Sequence, residues 1–380
     1  MNPLSIAVVG AGNRGATHIE SVYRKTDRAN VVAVVDVDEE RATELADRYS
    51  VPETYADYRD VLDDDAVDVV DVCVHNNLHA PIAVDALDAG KHVYCEKPMA
   101  GSYADAERMY EAAERNDRHL AVQNVYLYAK ETRVAKRLVD DGRLGTLQYG
   151  HAAYRRVRGR PYINGYGTAS FQRKETAGGG PVYDLGTYPI GQLLYLFGRP
   201  DVERVSGSTF DGTDELFTEA HVGDNLDRYE TRLAERDGME DVGFGFARLD
   251  GGRVLTVEAA WGMFADASES SELVGATGGV RLDPFEFRTT MADTDLAADV
   301  DVDEFARRER RFYDGERELW DNDLYQWLRG IRGETETIPT AEIALESMLV
   351  MEGIYLSDEL GREVTADEIR ERSTSTALDP

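Results

Sequence analysis

The chain has 380 residues, of which 42% are hydrophobic, with 73 Asp plus Glu and a formal net charge of −31. That length holds two domains with sizeable cores, and so acidic a field disfavours nucleic acid and anionic membrane surfaces as partners. Six Lys stand against 36 Arg; acidic excess with scarce lysine fits a halophilic protein, because high salt shortens the Debye length and screens self-repulsion.

Cys73 and Cys95 both sit in apolar strand-like runs, so they are read as buried free thiols, and no metal site is expected. No signal-peptide pattern opens the chain, and the longest apolar runs are about eight residues, far short of the ~20 of a membrane helix. A cytoplasmic location is expected.

In chain order, Leu4 to Val9 is a continuous apolar run, the mark of a strand buried on both faces. It leads into Gly10-Ala11-Gly12-Asn13-Arg14-Gly15 and then a helical stretch to about Lys25, the strand–turn–helix setting of a dinucleotide loop. Gly10 permits the turn, Gly12 admits a pyrophosphate and Gly15 lets helix and strand approach, with the phosphates at the helix N-terminus. The next strand, Val31 to Val35, ends at Asp36, 21 residues beyond Gly15, where a carboxylate can accept from both ribose hydroxyls. The carboxylate would repel a 2′-phosphate and Val37 offers it no cation. NAD is therefore preferred, with NADP the second candidate because Arg14 lies in the loop. The other reading of Asp36 is a strand-end or helix-capping acid.

Helices are predicted over Glu39 to Tyr49, Asp57 to Leu62, Ala80 to Ala89 and from Ser102, as cap, to Asn116. Strands are predicted at Val67 to Val74, His92 to Cys95 and His119 to Gln123. This alternation implies a doubly wound parallel sheet, with Gly10–Gly15, Asp36, His75-Asn76 and Glu96-Lys97-Pro98 along its carboxyl rim.

Gly10–Gly15, Asn76, His79, Gly90-Lys91-His92 and Glu96-Lys97-Pro98 together resemble the Gfo/Idh/MocA oxidoreductases. The resemblance implies an α/β protein with an N-terminal Rossmann doubly wound parallel sheet at 1–125. A C-terminal α+β substrate-binding and oligomerisation domain with a large open, mostly antiparallel sheet follows at 126–365, and a polar tail at 366–380. It implies NAD or NADP bound by Gly10, Gly12, Asn13, Arg14, Gly15, Asp36, Asn76, His79, Glu96 and Lys97. Lys97 is placed beside nicotinamide and substrate, Glu96 borders the nicotinamide, and a cis peptide before Pro98 directs the lysine. The composition adds a haloarchaeal origin to that reading. Relatives commonly carry Thr-Pro-Asn where this chain has Val74-His75-Asn76; His75 is either a loop residue or a second titratable group facing substrate.

In the second domain, Leu127 to Val139 reads as a helix and Leu147 to Arg158 as a strand whose basic tail, Arg155, Arg156, Arg158 and Arg160, either pairs with carboxylates or holds an anionic substrate. Gly178-Gly179-Gly180 leads to Asp184-Leu185-Gly186-Thr187-Tyr188, a glycine approach of the kind that lets backbone pass close to a ligand, and then a helix to about Phe197. Asp184 and Tyr188, four apart, share a helix face. The Asp-x-Gly-x-Tyr form resembles the glucose–fructose oxidoreductase and dihydrodiol dehydrogenase branch, where inositol dehydrogenases have His. Strands are predicted at Val202 to Ser208, Val242 to Leu249, Val254 to Ala260, Ser271 to Gly275 and Val280 to Asp283, with Asp211 to Asp241 and Met291 to Glu318 as acidic solvated insertions. Trp261 and Trp320 are read as core residues, with sugar stacking as the other use. Helices follow at Leu324 to Ile331 and from Thr340 to about Leu356, and the tail from about Arg370 is expected to fray.

The functional expectation is a hydride transfer between a sugar (aldose or related polyol) hydroxyl carbon and nicotinamide. Tyr188 is the general base, Lys97 its electrostatic activator and Asp184 the positioning residue. A phenol's ordinary pKa of ~10 makes it a weak base at neutral pH unless a cation favours the phenolate. Two other readings stay open: a non-catalytic sugar or NAD sensor, and a redox-neutral enzyme that retains its cofactor. The partners expected are a small sugar or polyol and further copies of the chain, as homodimer or homotetramer.

Overall fold

Six strands in the order β3-β2-β1-β4-β5-β6, all parallel, form the first sheet. They are β1 (Leu4–Val9), β2 (Ala29–Val35), β3 (Glu53–Tyr55), β4 (Val69–Val72), β5 (His92–Cys95) and β6 (Leu120–Val122). These positions belong to a computed structural model describing residues 2–162, 167–211, 238–268 and 270–380. The strand runs are apolar because helices cover both faces; β4 has no exposed residue at all. Four main helices connect them: α1 (Asn13–Ser21), α2 (Glu39–Tyr49), α3 (His79–Asp88) and α4 (Tyr103–Asn116).

Local chemistry sets the helix ends. Asp38 caps α2 by accepting from Arg41 N–H at 3.3 Å, and Ser50 closes it in the left-handed region. Ser102 caps α4 by accepting from Asp105 N–H at 3.3 Å, and Asp117 ends it the same way. Each such N-cap contributes ~1 kcal/mol. The first compact unit comprises Met1–Val125, Arg308–Leu345 and Thr376–Pro380. Residues 308–345, assigned by sequence to the second domain, therefore belong to the nucleotide-side unit. There the helix Asp323–Ile331 buries Leu324, Tyr325, Trp327 and Leu328 in the same core as Ile6, Val8 and Val34.

The second unit comprises Tyr126–Arg307 and Glu346–Ser375. Its nine-stranded sheet runs β14-β13-β12-β11-β7-β10-β9-β8-β15. The strands are β7 (Leu147–Arg155), β8 (Val202–Phe210), β9 (Val242–Leu249), β10 (Arg253–Ala260), β11 (Glu272–Gly275), β12 (Gly278–Arg281), β13 (Glu286–Met291), β14 (Thr294–Asp299) and β15 (Val364–Thr365). Only β7 and β10 pair in parallel, with Val254 opposite Tyr149 and Ala260 opposite Arg155. The mostly antiparallel sheet is the one expected.

Two expectations need correction, and a third lies mostly outside the described residues. Met291 to Glu318 is no featureless insertion: it completes β13, forms β14 and continues as the helix Val302–Phe312. A two-residue turn at Ala292-Asp293, both with positive φ, joins β13 to β14. Residues 366–372 form a helix capped by Thr365, and Thr376 N–H donates to Asp105 Oδ2 at 2.8 Å, so the tail beyond Arg370 is hydrogen-bonded into the fold. The acidic stretch Asp211 to Asp241 lies mostly outside the described residues.

Candidate active site

The order of the first sheet reverses between β1 and β4, and the loops after these strands open on the crevice where doubly wound sheets bind ligands. Gly10 has φ +107, and a Cβ there would stand 2.4 Å from Cys73 O; one on Gly15 would stand 2.2 Å from Gly10 O. Only glycine lets loop, helix and β4 close up this way. A Cβ on Gly12 would meet nothing within 4 Å, so that side of the loop is open. No side chain caps the start of α1 and no acid stands in its first turn. Its N-terminal N–H groups and positive dipole end suit a pyrophosphate.

Asp36 follows β2 and accepts from Ala11 N–H at 2.8 Å and Asp38 N–H at 3.0 Å. The capping acid of α2 is Asp38, so Asp36 is not the helix cap; it stands at the end of β2. Val37 beside it is 89% exposed. Arg14 is not poised for a 2′-phosphate; its Nε donates to Glu96 Oε1 at 2.6 Å. Asn76 opens a short 3₁₀ turn to Leu78, and His75 accepts from Leu78 N–H through its carbonyl at 3.0 Å. His79 is fully buried, with Nδ1 2.9 Å from Pro98 O and Nε2 3.1 Å from Val74 O. Burial pushes its pKa down against the pull of the two carbonyls. Its ring ties two rim loops together.

The Lys97–Pro98 peptide is cis. Lys97 is half-buried, and its N–H lies 3.3 Å from Glu96 Oε2. Glu96 is buried, and Oε1 also lies 3.0 Å from His18 Nε2. Burial alone would raise its pKa, but the His18 hydrogen bond and the Arg14 charge outweigh that and lower it to about 2. His18, not among the residues expected at the site, joins this group through Glu96.

Asp184 and Tyr188 belong to the second unit. Val182–Gly186 is a π-helical turn running into the helix Thr187–Leu196, a local widening common at functional positions. From 181 to 190 every residue is buried except Asp184 and Tyr188, which are half-buried. They therefore share the one open face of this segment. Trp261 is 1% exposed, and its indole N–H donates to Asp184 Oδ2 at 2.8 Å. Trp261 is a core residue that orients a carboxylate, not a stacking platform.

Three tyrosine rings meet here: Tyr188 lies 5.3 Å from Tyr126 and 6.3 Å from Tyr154, and Tyr126 and Tyr154 stack at 6.3 Å. The glycine approach has a different purpose from the one expected. A Cβ on Gly179 would strike Tyr355 Oη at 2.5 Å and one on Gly180 the Glu240 carbonyl at 2.6 Å, so the glycines admit the protein's own groups. The arginine cluster divides. Arg155 pairs with Glu258, the Arg156 guanidinium lies 5.2 Å over the Tyr154 ring, and Arg160, 1% exposed, donates to buried Asp241 at 2.6 Å. Arg158 is exposed.

Residues 4–124 match the model of an oxidoreductase family with an NAD-binding Rossmann fold, and residues 132–281 match the C-terminal domain of GFO/IDH/MocA proteins. The chain is 27% identical to D-glucoside 3-dehydrogenase of Escherichia coli K12 over 371 residues, 96% of this chain and 97% of that one. It is 36% identical to inositol 2-dehydrogenase of Salmonella typhimurium over 145 residues, 37% of this chain and 43% of that one. The crystal structure of an oxidoreductase domain protein from Kribbella flavida superimposes with a TM-score of 0.78 at 21% identity, covering 96% of this chain and all of that one. Fold and motifs thus define an oxidoreductase with an NAD-binding domain. The chain belongs to the Gfo/Idh/MocA family. Among the described residues no helix is long and apolar enough to cross a membrane.

Proposed function

We propose that the protein oxidises a secondary or anomeric hydroxyl of a cyclic sugar or related polyol, with NAD as acceptor. The observation that carries the reading is Asp184 held by Trp261 on the same open face as Tyr188, in a chain with an NAD-type glycine loop and Asp36. The names of the glucoside and inositol relatives support the substrate class.

The residues divide the work. The Gly10–Gly15 loop and the start of α1 bind the pyrophosphate, and Asp36 accepts from the ribose hydroxyls. NAD, when bound, supplies the hydride acceptor. Tyr188 takes the proton from the substrate hydroxyl and releases it to solvent, so each turnover forms one carbonyl and one free proton. Lys97 favours the phenolate electrostatically. Asp184, fixed by Trp261, orients the hydroxyl, and Tyr126 and Tyr154 flank it. The reading includes a homo-oligomeric assembly, which light scattering tests.

The functional test is absorbance at 340 nm across aldoses, glucosides, inositols and sugar acids in molar KCl. Lys97→Met is expected to lower kcat ~100-fold or more, the range of acid–base assistance. It should also move the ascending, acid-side limb of the pH profile to higher pH. Near-wild-type turnover of that variant at saturating substrate would remove Lys97 from the mechanism.

A further inference from the structure

A buried cluster of polar side chains joins α1, β4 and the turn after β5. His18, on α1, points its Nδ1 at Asp71 Oδ2, 2.9 Å away, and its Nε2 at Glu96 Oε1, 3.0 Å away. Asp71 is fully buried on β4, His18 is 5% exposed and Glu96 4%. A neutral imidazole donates through one nitrogen and holds a lone pair on the other. Here both nitrogens face carboxylate oxygens, so a neutral ring would set a lone pair against an anion in a buried site. The charge count agrees: Asp71 and Glu96 are balanced by Arg14 and a protonated His18.

Every group around the ring is consistent with this. Tyr23 Oη donates to Asp71 Oδ2 at 2.9 Å, and Cys73 Sγ lies 3.4 Å from both His18 Nδ1 and Asp71 Oδ1. The Cys73 thiol is pushed by burial up to about 12, so it adds no charge. Tyr94 meets the imidazole edge-on at 5.7 Å, its own pKa raised by burial, and Asp323 is a buried carboxyl whose pKa burial raises. Burial pulls the His18 pKa down, but Asp71 outweighs it and holds it well above the ordinary value.

Arg14 and His18 are four residues apart on α1 and both reach Glu96 Oε1. The helix that offers its N-terminus to the cofactor thus grips the Glu96-Lys97-Pro98 turn at two points. We propose that His18 is a permanently charged positioning residue: clamped between Asp71 and Glu96, it fixes the Glu96 carboxylate and with it the turn that carries Lys97. The consequence for turnover rests on the role proposed above for Lys97; the charge and the clamp do not.

The test has two arms. In the wild-type protein labelled with ¹⁵N-histidine, His18 is expected to show both ring nitrogens protonated from pH 6 to 8. A neutral tautomer at pH 7 overturns the proposal. In His18→Gln, the Glu96 and Lys97 backbone amide resonances are expected to shift without substrate present. kcat should fall at least ten-fold, with the ascending limb of its pH profile moved. A variant with unchanged Glu96 and Lys97 resonances, or with lowered Tm but unchanged kcat and pH profile, overturns the positioning role. Were no sugar oxidised by the wild type, the reading of function would fail while the histidine and amide spectra still decided this one.

Discussion

Trp261→Phe isolates one hydrogen bond, the one that Asp184 accepts. The substitution keeps an aromatic ring among Ala177, Leu185 and Met239 and removes the N–H that donates to Asp184 Oδ2 at 2.8 Å. A hydrogen bond to a charged group contributes ~1.5–3 kcal/mol. Because Asp184 is half-buried, water replaces part of the lost donor, and the lower half of that range applies, ~1.5–2 kcal/mol. At ~1.4 kcal/mol per decade this is a ~10–30-fold loss in kcat/KM. The smaller ring also leaves a partial cavity that costs ~1–2 kcal/mol of stability, seen as a lower Tm. Stability and catalysis are separated by a double-mutant cycle with Asp184→Ala, read in kcat/KM. If Trp261 acts by orienting Asp184, the two losses overlap by ~1 kcal/mol or more. Losses that add within ~0.3 kcal/mol would refute the reasoning and leave Trp261 as packing alone.

Asp36→Ser removes the ribose acceptor and the repulsion of a 2′-phosphate together; KM for NAD is expected to rise ~10-fold while KM for NADP falls, and an unchanged NAD/NADP ratio in steady-state assays would count against the assignment. Glu96 is held at about 2 in the folded protein. A depressed carboxylate contributes stability above its unfolded pKa of ~4.3, and that stability is lost as pH falls through ~2. Its contribution is on the order of 3 kcal/mol. Thermal unfolding of Glu96→Gln should therefore lack that part of the loss seen in wild type between about pH 4.5 and 2. His18 has the opposite sign: its raised pKa stabilises below ~6.5 and the effect fades as pH rises through the folded value. With a net charge of −31, Tm should rise between 0.1 and 1 M KCl as the Debye length falls from ~10 to ~3 Å; a flat response would argue against the halophilic reading.

The nucleotide half was readable because its signals are local. Glycine spacing, the apolar runs of β1 and β4, and the capping residue Ser102 each act within a few residues of where they stand. β3 escaped notice because it is a three-residue edge strand with little exposed alternation. The β13–β14 hairpin was hidden by charge, and its Ala292-Asp293 turn lacks the Asn-Gly type of signal. In the helix Val302–Phe312 the stripe Val302, Phe305 and Ala306 was the available clue, with Phe305 and Ala306 buried. The partners that define the site are farther apart. Trp261 meets Asp184 across 77 residues, and His18 meets Asp71 and Glu96 across 53 and 78. Nothing in a local window reports such pairs.

Scarcity of lysine is a weaker pointer than it first looks. Lys91 is buried and donates to the Asp64 carbonyl at 2.6 Å, while Lys130 and Lys136 pair with Asp303 and Asp140. The chain thus uses lysine structurally as well. What distinguishes Lys97 is its place, directly after a carboxylate whose two oxygens are engaged by α1 and by the Lys97 N–H itself. Glu96 is already balanced by Arg14 and His18, so its negative charge does not have to be met by the neighbouring ammonium. The role proposed for Lys97 rests on the kind of charge it carries. An arginine would carry a positive charge there too, but spread over a planar fork, whereas the ammonium is a compact point charge able to stabilise a single developing oxyanion.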